Sequence, residues 1–257
     1  MSAMGDARCW LVAVASLAGG CNLPGAPNEA DRPIPANQVM DFNVLYAARC
    51  AGCHGADGKL GPAPPLNDPI FLAIVPDAEL LRVVREGRYV SPVQKTPMPA
   101  FAQNFGGPLT EPQVKVLAEG IKKRWQRSTT APPQPSSLPA YFADKTAGGG
   151  NKEEGIRVFA RACAGCHGDD GKGQKDGKPL RPGAVNDPAF LALISDQELR
   201  RVIISGRADL GMPSYADKTG RPDDFSALTS ADIDHLIALL RQWRIAESSN
   251  EQMAARD

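Results

Sequence analysis

Cys50-Ala-Gly-Cys53-His54 and Cys163-Ala-Gly-Cys166-His167 are the two stretches on which the reading of this chain turns. Each lies at the same place in a longer repeat, Phe42 to Ala102 against Ile156 to Ala216. Tyr46-Ala-Ala-Arg-Cys returns as Phe159-Ala-Arg-Ala-Cys, Asn67-Asp-Pro-Ile-Phe-Leu as Asn186-Asp-Pro-Ala-Phe-Leu, and Met98-Pro-Ala-Phe as Met212-Pro-Ser-Tyr. A unit this long exceeds a solenoid repeat, so each copy is read as a domain. The copies occupy residues 39–127 and 153–245. Between them, 128–152 is rich in Pro, Gly, Ser and Thr and reads as a linker. Tyr141 and Phe142 predict that part of it docks on a domain surface.

The apolar spacing predicts three helices with loops in each copy. The first helix carries Phe42, Leu45 and Tyr46, or Ile156 and Phe159, at helical spacing up to the Cys motif. The middle helix spans about Asp77 to Glu86 and Asp196 to Ser205, with Asp77 and Asp196 as expected N-caps and Gly87 and Gly206 as stops. The last follows Thr110 and Thr229. Thr110-Glu-Pro-Gln reads as a capping box with an early proline. Its apolar face is Val114, Leu117, Ile121 and Trp125; in the second copy it is Ile233, Leu236, Ile237, Leu240 and Trp243.

Two cysteines three apart both reach the vinyl groups of one haem, and the adjacent histidine then lies against the iron. This spacing is the c-type haem attachment signal. A thioredoxin-like dithiol needs a βαβ context that is absent. A zinc site needs four ligands, and each motif supplies at most three. A structural disulfide suits an oxidising compartment but leaves the histidine unexplained. Cys50, Cys53, His54, Cys163, Cys166 and His167 are therefore the candidate residues for two covalently bound haem c groups.

The chain has three histidines, so both irons cannot be held by two histidines each. Met98 and Met212 are the candidate sixth ligands. They lie 44 and 45 residues after His54 and His167, and each precedes a proline. A thioether opposite imidazole favours Fe(II) and raises the potential. A methionine in a helical core would be a gap-filler, but neither of these lies in a helical pattern. His235, among apolar positions of the last helix, reads as a surface or partly buried side chain rather than a ligand.

On the Cys-x-x-Cys-His and Met-Pro pairs, over about Val39 to Arg127 and Glu153 to Ile245, the chain resembles the class I cytochrome c family, duplicated as a dihaem protein. The resemblance implies an all-α fold of two tandem class I cytochrome c domains, each wrapped around one haem with His and Met on opposite faces. It implies that first and last helices cross near Tyr46 or Phe159, usually at a glycine of the first helix. Gly155 fits; Phe42 stands at that place in the first copy and predicts a wider or shifted crossing. It also implies a proline carbonyl that orients the motif histidine, with Pro64 and Pro182 as candidates. Arg88 and Arg207 would pair with haem propionates or be solvated.

Arg8 followed by the apolar run Trp10 to Ala18 reads as an export signal, too short to span a bilayer. Ala18-Gly19-Gly20-Cys21 resembles a lipobox, although Ala18 stands where Leu is usual and Leu17 is one place earlier; residues 1–21 are expected to be a signal with Cys21 lipidated, ordinary cleavage near Gly20 being the competing reading, and 22–38 a tether. Residues 246–257 form a tail. Lys+Arg and Asp+Glu both total 29; without a basic stripe, nucleic acid is not an expected partner. The expected role is electron transfer without substrate chemistry, at the periplasmic side of a bacterial membrane. The donor would be a quinol-oxidising complex or a dehydrogenase. The acceptor would be an oxidase, a reaction centre or a small cytochrome. A dihaem peroxidase, or the cytochrome subunit of a periplasmic dehydrogenase, is the competing expectation.

Overall fold

The computed structural model of the chain describes residues 32–88, 98–126, 138–144, 149–173 and 183–254, with side chains up to residue 245. The chain divides into two compact units, Met1–Val39 and Met40–Asp257. The described part of the first holds one 3-10 turn, Ala36–Gln38. The export signal and Cys21 lie outside the described residues. Both copies of the repeat lie in the second unit.

Among the described residues that unit is helical. The first copy runs α1 (Phe42–Arg49), α2 (Ala51–His54), α3 (Pro69–Ile74), α4 (Asp77–Glu86) and α5 (Glu111–Trp125). The second runs α6 (Lys152–Ala162), α7 (Ala164–His167), α8 (Pro188–Leu193), α9 (Asp196–Ser205) and α10 (Ser230–Ala254). The first, middle and last helices stand where the periodicity places them. Two short helices join them in each copy. One is the single turn that carries the Cys motif. The other begins at Asp68 or Asp187, whose carboxylate accepts from Phe71 N (2.7 Å) or Phe190 N (2.8 Å) while a proline opens the first turn. A caps-and-proline start suffices for a helix too short to show a period.

The middle helices have the expected bounds, but each is capped one residue earlier than expected. Their N-caps are Pro76 and Ser195, and Ser195 Oγ accepts from Glu198 N at 3.2 Å. Asp77 and Asp196 are instead first-turn residues, where a carboxylate favours the positive helix end. The last helices start as the sequence says. Thr110 N donates to Gln113 Oε1 at 3.1 Å. Thr229 N donates to Asp232 Oδ2 at 2.9 Å and Asp232 N returns a bond to Thr229 Oγ1 at 3.1 Å. The expected faces are inside: Val114, Leu117, Ile121 and Trp125 in α5, and Ile233, Leu236, Ile237 and Leu240 in α10. Each such side chain contributes roughly 1.5–3 kcal/mol when fully buried. The backbone of α10 continues past Ile245 to Ala254.

First and last helices cross differently in the two copies. A β-carbon on Gly155 of α6 would stand 2.3 Å from His235 O and 3.0 Å from Leu239 Cβ. In the first copy the glycine is on the other helix. Phe42 of α1 lies over Gly120 of α5, and a β-carbon there would stand 2.1 Å from Phe42 Cδ2. The crossing in the first copy is therefore close as well, with large and small residues exchanged.

The two copies pack on one another through α3 and α9. Ile70 and Ile74 of α3 rest on the second copy's core. The linker joins this contact: Tyr141 is buried, and its carbonyl accepts from Gln197 Nε2 at 2.8 Å while its hydroxyl accepts from Arg88 Nη2 at 3.2 Å. Phe142 stays exposed.

Candidate haem sites

α1 stops at Cys50, and one further turn, α2, follows. Cys53 N and His54 N both donate to Cys50 O, at 3.1 and 2.9 Å. One turn and its cap thus carry both cysteines and the histidine. The chain must then double back. Gly55 does so at φ 79, where a β-carbon would stand 1.8 Å from Lys59 O. Gly168 does the same at φ 75. The four motif cysteines are free thiols. Burial pushes the Cys50 thiol up to about 12 and the Cys163 thiol up to about 11, so both are neutral sulfur.

His54 Nδ1 donates to Pro64 O at 3.0 Å. Pro64 is the residue the resemblance singled out. A carbonyl can only accept, so the proton is on Nδ1 and the lone pair on Nε2 is left for a metal. His167 Nδ1 makes the same bond at 3.0 Å to Gly183 O. This corrects the second expectation: Pro182 lies outside the described residues, and the carbonyl is that of the next residue. Burial holds both imidazoles below their ordinary range, against the carbonyl bonds. The neutral form is the one that ligates iron.

Each methionine is tied to the end of a middle helix. Arg88 N donates to Met98 O at 3.1 Å. Arg207 and Met212 exchange both backbone bonds at 3.0 Å. Close approach makes this possible, because a β-carbon on Gly87 or Gly206 would stand 2.7 or 2.6 Å from the methionine carbonyl. Both methionines are half-buried.

The donor set fits covalent haem: two thiols on one turn, a neutral imidazole with one nitrogen committed, and a thioether on a fixed strap. Among the described residues no three His, Cys, Asp or Glu side chains gather as a metal cluster.

Arg88 and Arg207 already have protein partners. Arg88 pairs with Glu198 as well as Tyr141. Arg207 forks onto Asp209 at 2.9 and 2.8 Å. His235 is half-buried, and its Nδ1 accepts from Asn151 N at 2.9 Å.

Residues 37–119 and 150–230 each match the family described as "Cytochrome C oxidase, cbb3-type, subunit III", together more than half of the chain. The chain belongs to the cbb3-type cytochrome c oxidase subunit III family. Its two matched segments are the two helical copies, so the fold is all-α with tandem cytochrome c domains. The cbb3-type relatives include the "Cbb3-type cytochrome c oxidase subunit FixP" of Sinorhizobium medicae. It is 29% identical over 160 residues, covering 59% of this chain and 48% of the relative. The protein of that name from Rhizobium meliloti is 28% identical over 172 residues, covering 64% and 53%. That from Azorhizobium caulinodans is 24% identical over 216 residues, covering 84% and 66%. The chain spans about half the length of the first of these relatives. Among the described residues no helix is long and apolar enough to cross a membrane.

In these cbb3-type domains the expected aromatic residues meet on two glycines, Gly58 and Gly171, that the sequence reading did not single out. Trp125 and Trp243 meet Tyr46 and Phe159 edge-on, at 5.2 Å between ring centroids in both copies. The rings also lie on Gly58 and Gly171, where β-carbons would stand 2.9 and 2.8 Å from them. The signal was present: a second glycine recurs four residues after each motif histidine.

Proposed function

We propose that this chain is a dihaem c-type cytochrome that passes electrons between redox partners at the periplasmic face of a bacterial membrane, as a respiratory component or a subunit of an oxidase complex. The observation that carries the reading is the repeated arrangement: a free thiol pair, a histidine with Nδ1 tied to a carbonyl, and a methionine strap, twice in one chain. Cys50 and Cys53, and Cys163 and Cys166, would hold the rings. His54 and Met98, and His167 and Met212, would hold the irons. Bound haem would supply an Fe(III)/Fe(II) couple.

The protein's own part is to keep two ligands in place on each iron, so that neither site opens to a small molecule. The carbonyl bonds fix the imidazole planes, and the backbone ties fix the methionine straps. Both restrain the ligand set as charge changes. The relatives' names support an oxidase as acceptor, with a quinol-oxidising complex or dehydrogenase as donor. Lipidation of Cys21 would hold the protein at the membrane.

A visible-spectrum redox titration with carbon monoxide added to the reduced protein tests this. Two haems with the sulfur-to-iron charge-transfer band and no carbon monoxide binding are expected. A haem without that band that takes carbon monoxide would refute the ligand set and turn the assignment to a peroxidase.

A further inference from the structure

His54 is oriented by a loop in which four consecutive residues each have a backbone group tied down. Ala63 N donates to Cys53 O at 2.9 Å and Leu66 N donates to Gly58 O at 2.8 Å. Pro64 O accepts from His54. The remaining carbonyl, Pro65 O, is taken by the other copy: Arg201 Nη2 of α9 donates to it at 2.5 Å. Fixed φ at Pro65 leaves its ψ as the one soft torsion between the two carbonyls, and the peptide plane beyond it is pinned at both ends, Pro65 O by Arg201 and Leu66 N by Gly58 O.

Arg201 is itself held rigidly. It is buried, and its guanidinium carbon lies 3.6 Å from the centroid of the Phe71 ring, a close cation–π stack. Glu198 Oε1 is 3.6 Å from Nη1. Burial lowers the guanidinium to about 10, which leaves it charged at neutral pH. The repeat shows that this use is particular to one copy. At the matching position of α4, Arg82 is clamped by Glu79 at 2.8 and 2.9 Å and remains half in solvent. Phe190, which matches Phe71, is exposed.

We propose that Arg201 is a positioning residue for the first copy's iron: reaching across the domain contact, it fixes the Pro64–Pro65 carbonyls that orient His54 and places a positive charge that favours Fe(II) at that site alone. The inference rests on the haem assignment above. A cation near the ligand opposes a further positive charge on the metal, so it raises the potential.

The test is a spectroelectrochemical titration of the full-length holoprotein, unmodified and as Arg201→Gln, Arg201→Lys and Pro65→Gly. A Met98→His reference identifies which wave belongs to the first copy. Arg201→Gln is expected to lower the first-copy wave and leave the second in place. Arg201→Lys, which keeps the charge, is expected to recover part of the shift. Pro65→Gly removes the rigid link without touching the arginine, so it tests the proposal even where Arg201→Gln does not accumulate; it should move the same wave. A first-copy wave unmoved by Arg201→Gln or by Pro65→Gly, or both waves moving together, would overturn the inference and leave Arg201 as domain glue. An unmodified protein without a Met-ligated first-copy wave would overturn the haem assignment and this inference with it.

Discussion

Asp234 Oδ1 lies 2.6 Å from Arg200 Nη1, in a pair that is almost wholly withdrawn from water. Arg200 Nε also donates to Ala140 O at 2.8 Å, so the pair fastens the linker to α9 and α10. Removing one partner of a buried pair leaves an uncompensated charge. Asp234→Ala should cost about 3–5 kcal/mol. The double change Arg200→Met with Asp234→Leu should restore most of that, because an apolar pair needs no compensation. Urea unfolding of the holoprotein, followed by far-UV circular dichroism, separates the cases. A single-variant loss under about 1 kcal/mol would show that solvent reaches the arginine.

The helix crossings predict a ranking. At Gly155 the obstructing atom is a backbone carbonyl, whereas at Gly120 it is the edge of the Phe42 ring. A ring can tilt; a helix carbonyl moves only with its helix. Gly155→Ala should therefore destabilise by about 1–3 kcal/mol. Gly120→Ala gains up to about 1 kcal/mol of helix propensity and should be nearly neutral. Thermal melts of the two variants check the order, and equal losses would contradict it.

A pH dependence follows from Asp209. The Arg207 fork holds its carboxyl below the ordinary carboxylate range, against burial. A depressed folded value contributes stability above the unfolded value and loses it as pH falls through the folded one. The window therefore lies below about pH 4. Asp209→Asn should cost about 1 kcal/mol at pH 7 and progressively less toward pH 2. Because the Arg207–Asp209 fork sits in the turn whose ends, Arg207 and Met212, are tied backbone to backbone, the sulfur-to-iron band of the haem proposed for the second copy is the readout. A gap between variant and unmodified protein that persists at pH 2 would refute it.

Each methionine should serve one site. Met98→Ala and Met212→Ala should each allow carbon monoxide to bind half of the reduced haem, and the double variant all of it. The absorbance change per haem measures the fraction. A single variant that opens both sites, or neither, would contradict the one-strap, one-iron arrangement.

Much of this architecture is legible in the sequence because it is local. The Cys motif sets its own turn, Thr110 and Gln113 cap each other across three residues, and the i, i+3, i+4 pattern of α5 and α10 names the core. Local rules fail where the deciding atom is distant in sequence. Asp77 has the chemistry of an N-cap, yet Pro76 takes the place because the chain enters the helix one residue sooner. Gly183 supplies a carbonyl, which every residue type has, so no side-chain signature could mark it. Arg201 reads as one more charge on a polar helix until the fold lays it against Phe71 and Pro65, 130 and 136 residues away. The exchange of glycine between Phe42–Gly120 and Gly155–Leu239 was half visible: the missing glycine on α1 was plain, but its replacement on α5 needed the packed pair.

That exchange bears on how a duplicated chain assembles. Two similar halves made on one polypeptide risk trading helices while they fold. Here an exchange of partners is penalised in both directions. Phe42 brought against Leu239 sets bulk on bulk, whereas Gly155 brought against Gly120 leaves a gap with nothing to fill it. Each opening helix is thus keyed to the closing helix of its own half, and the duplication carries its own safeguard against entangled halves.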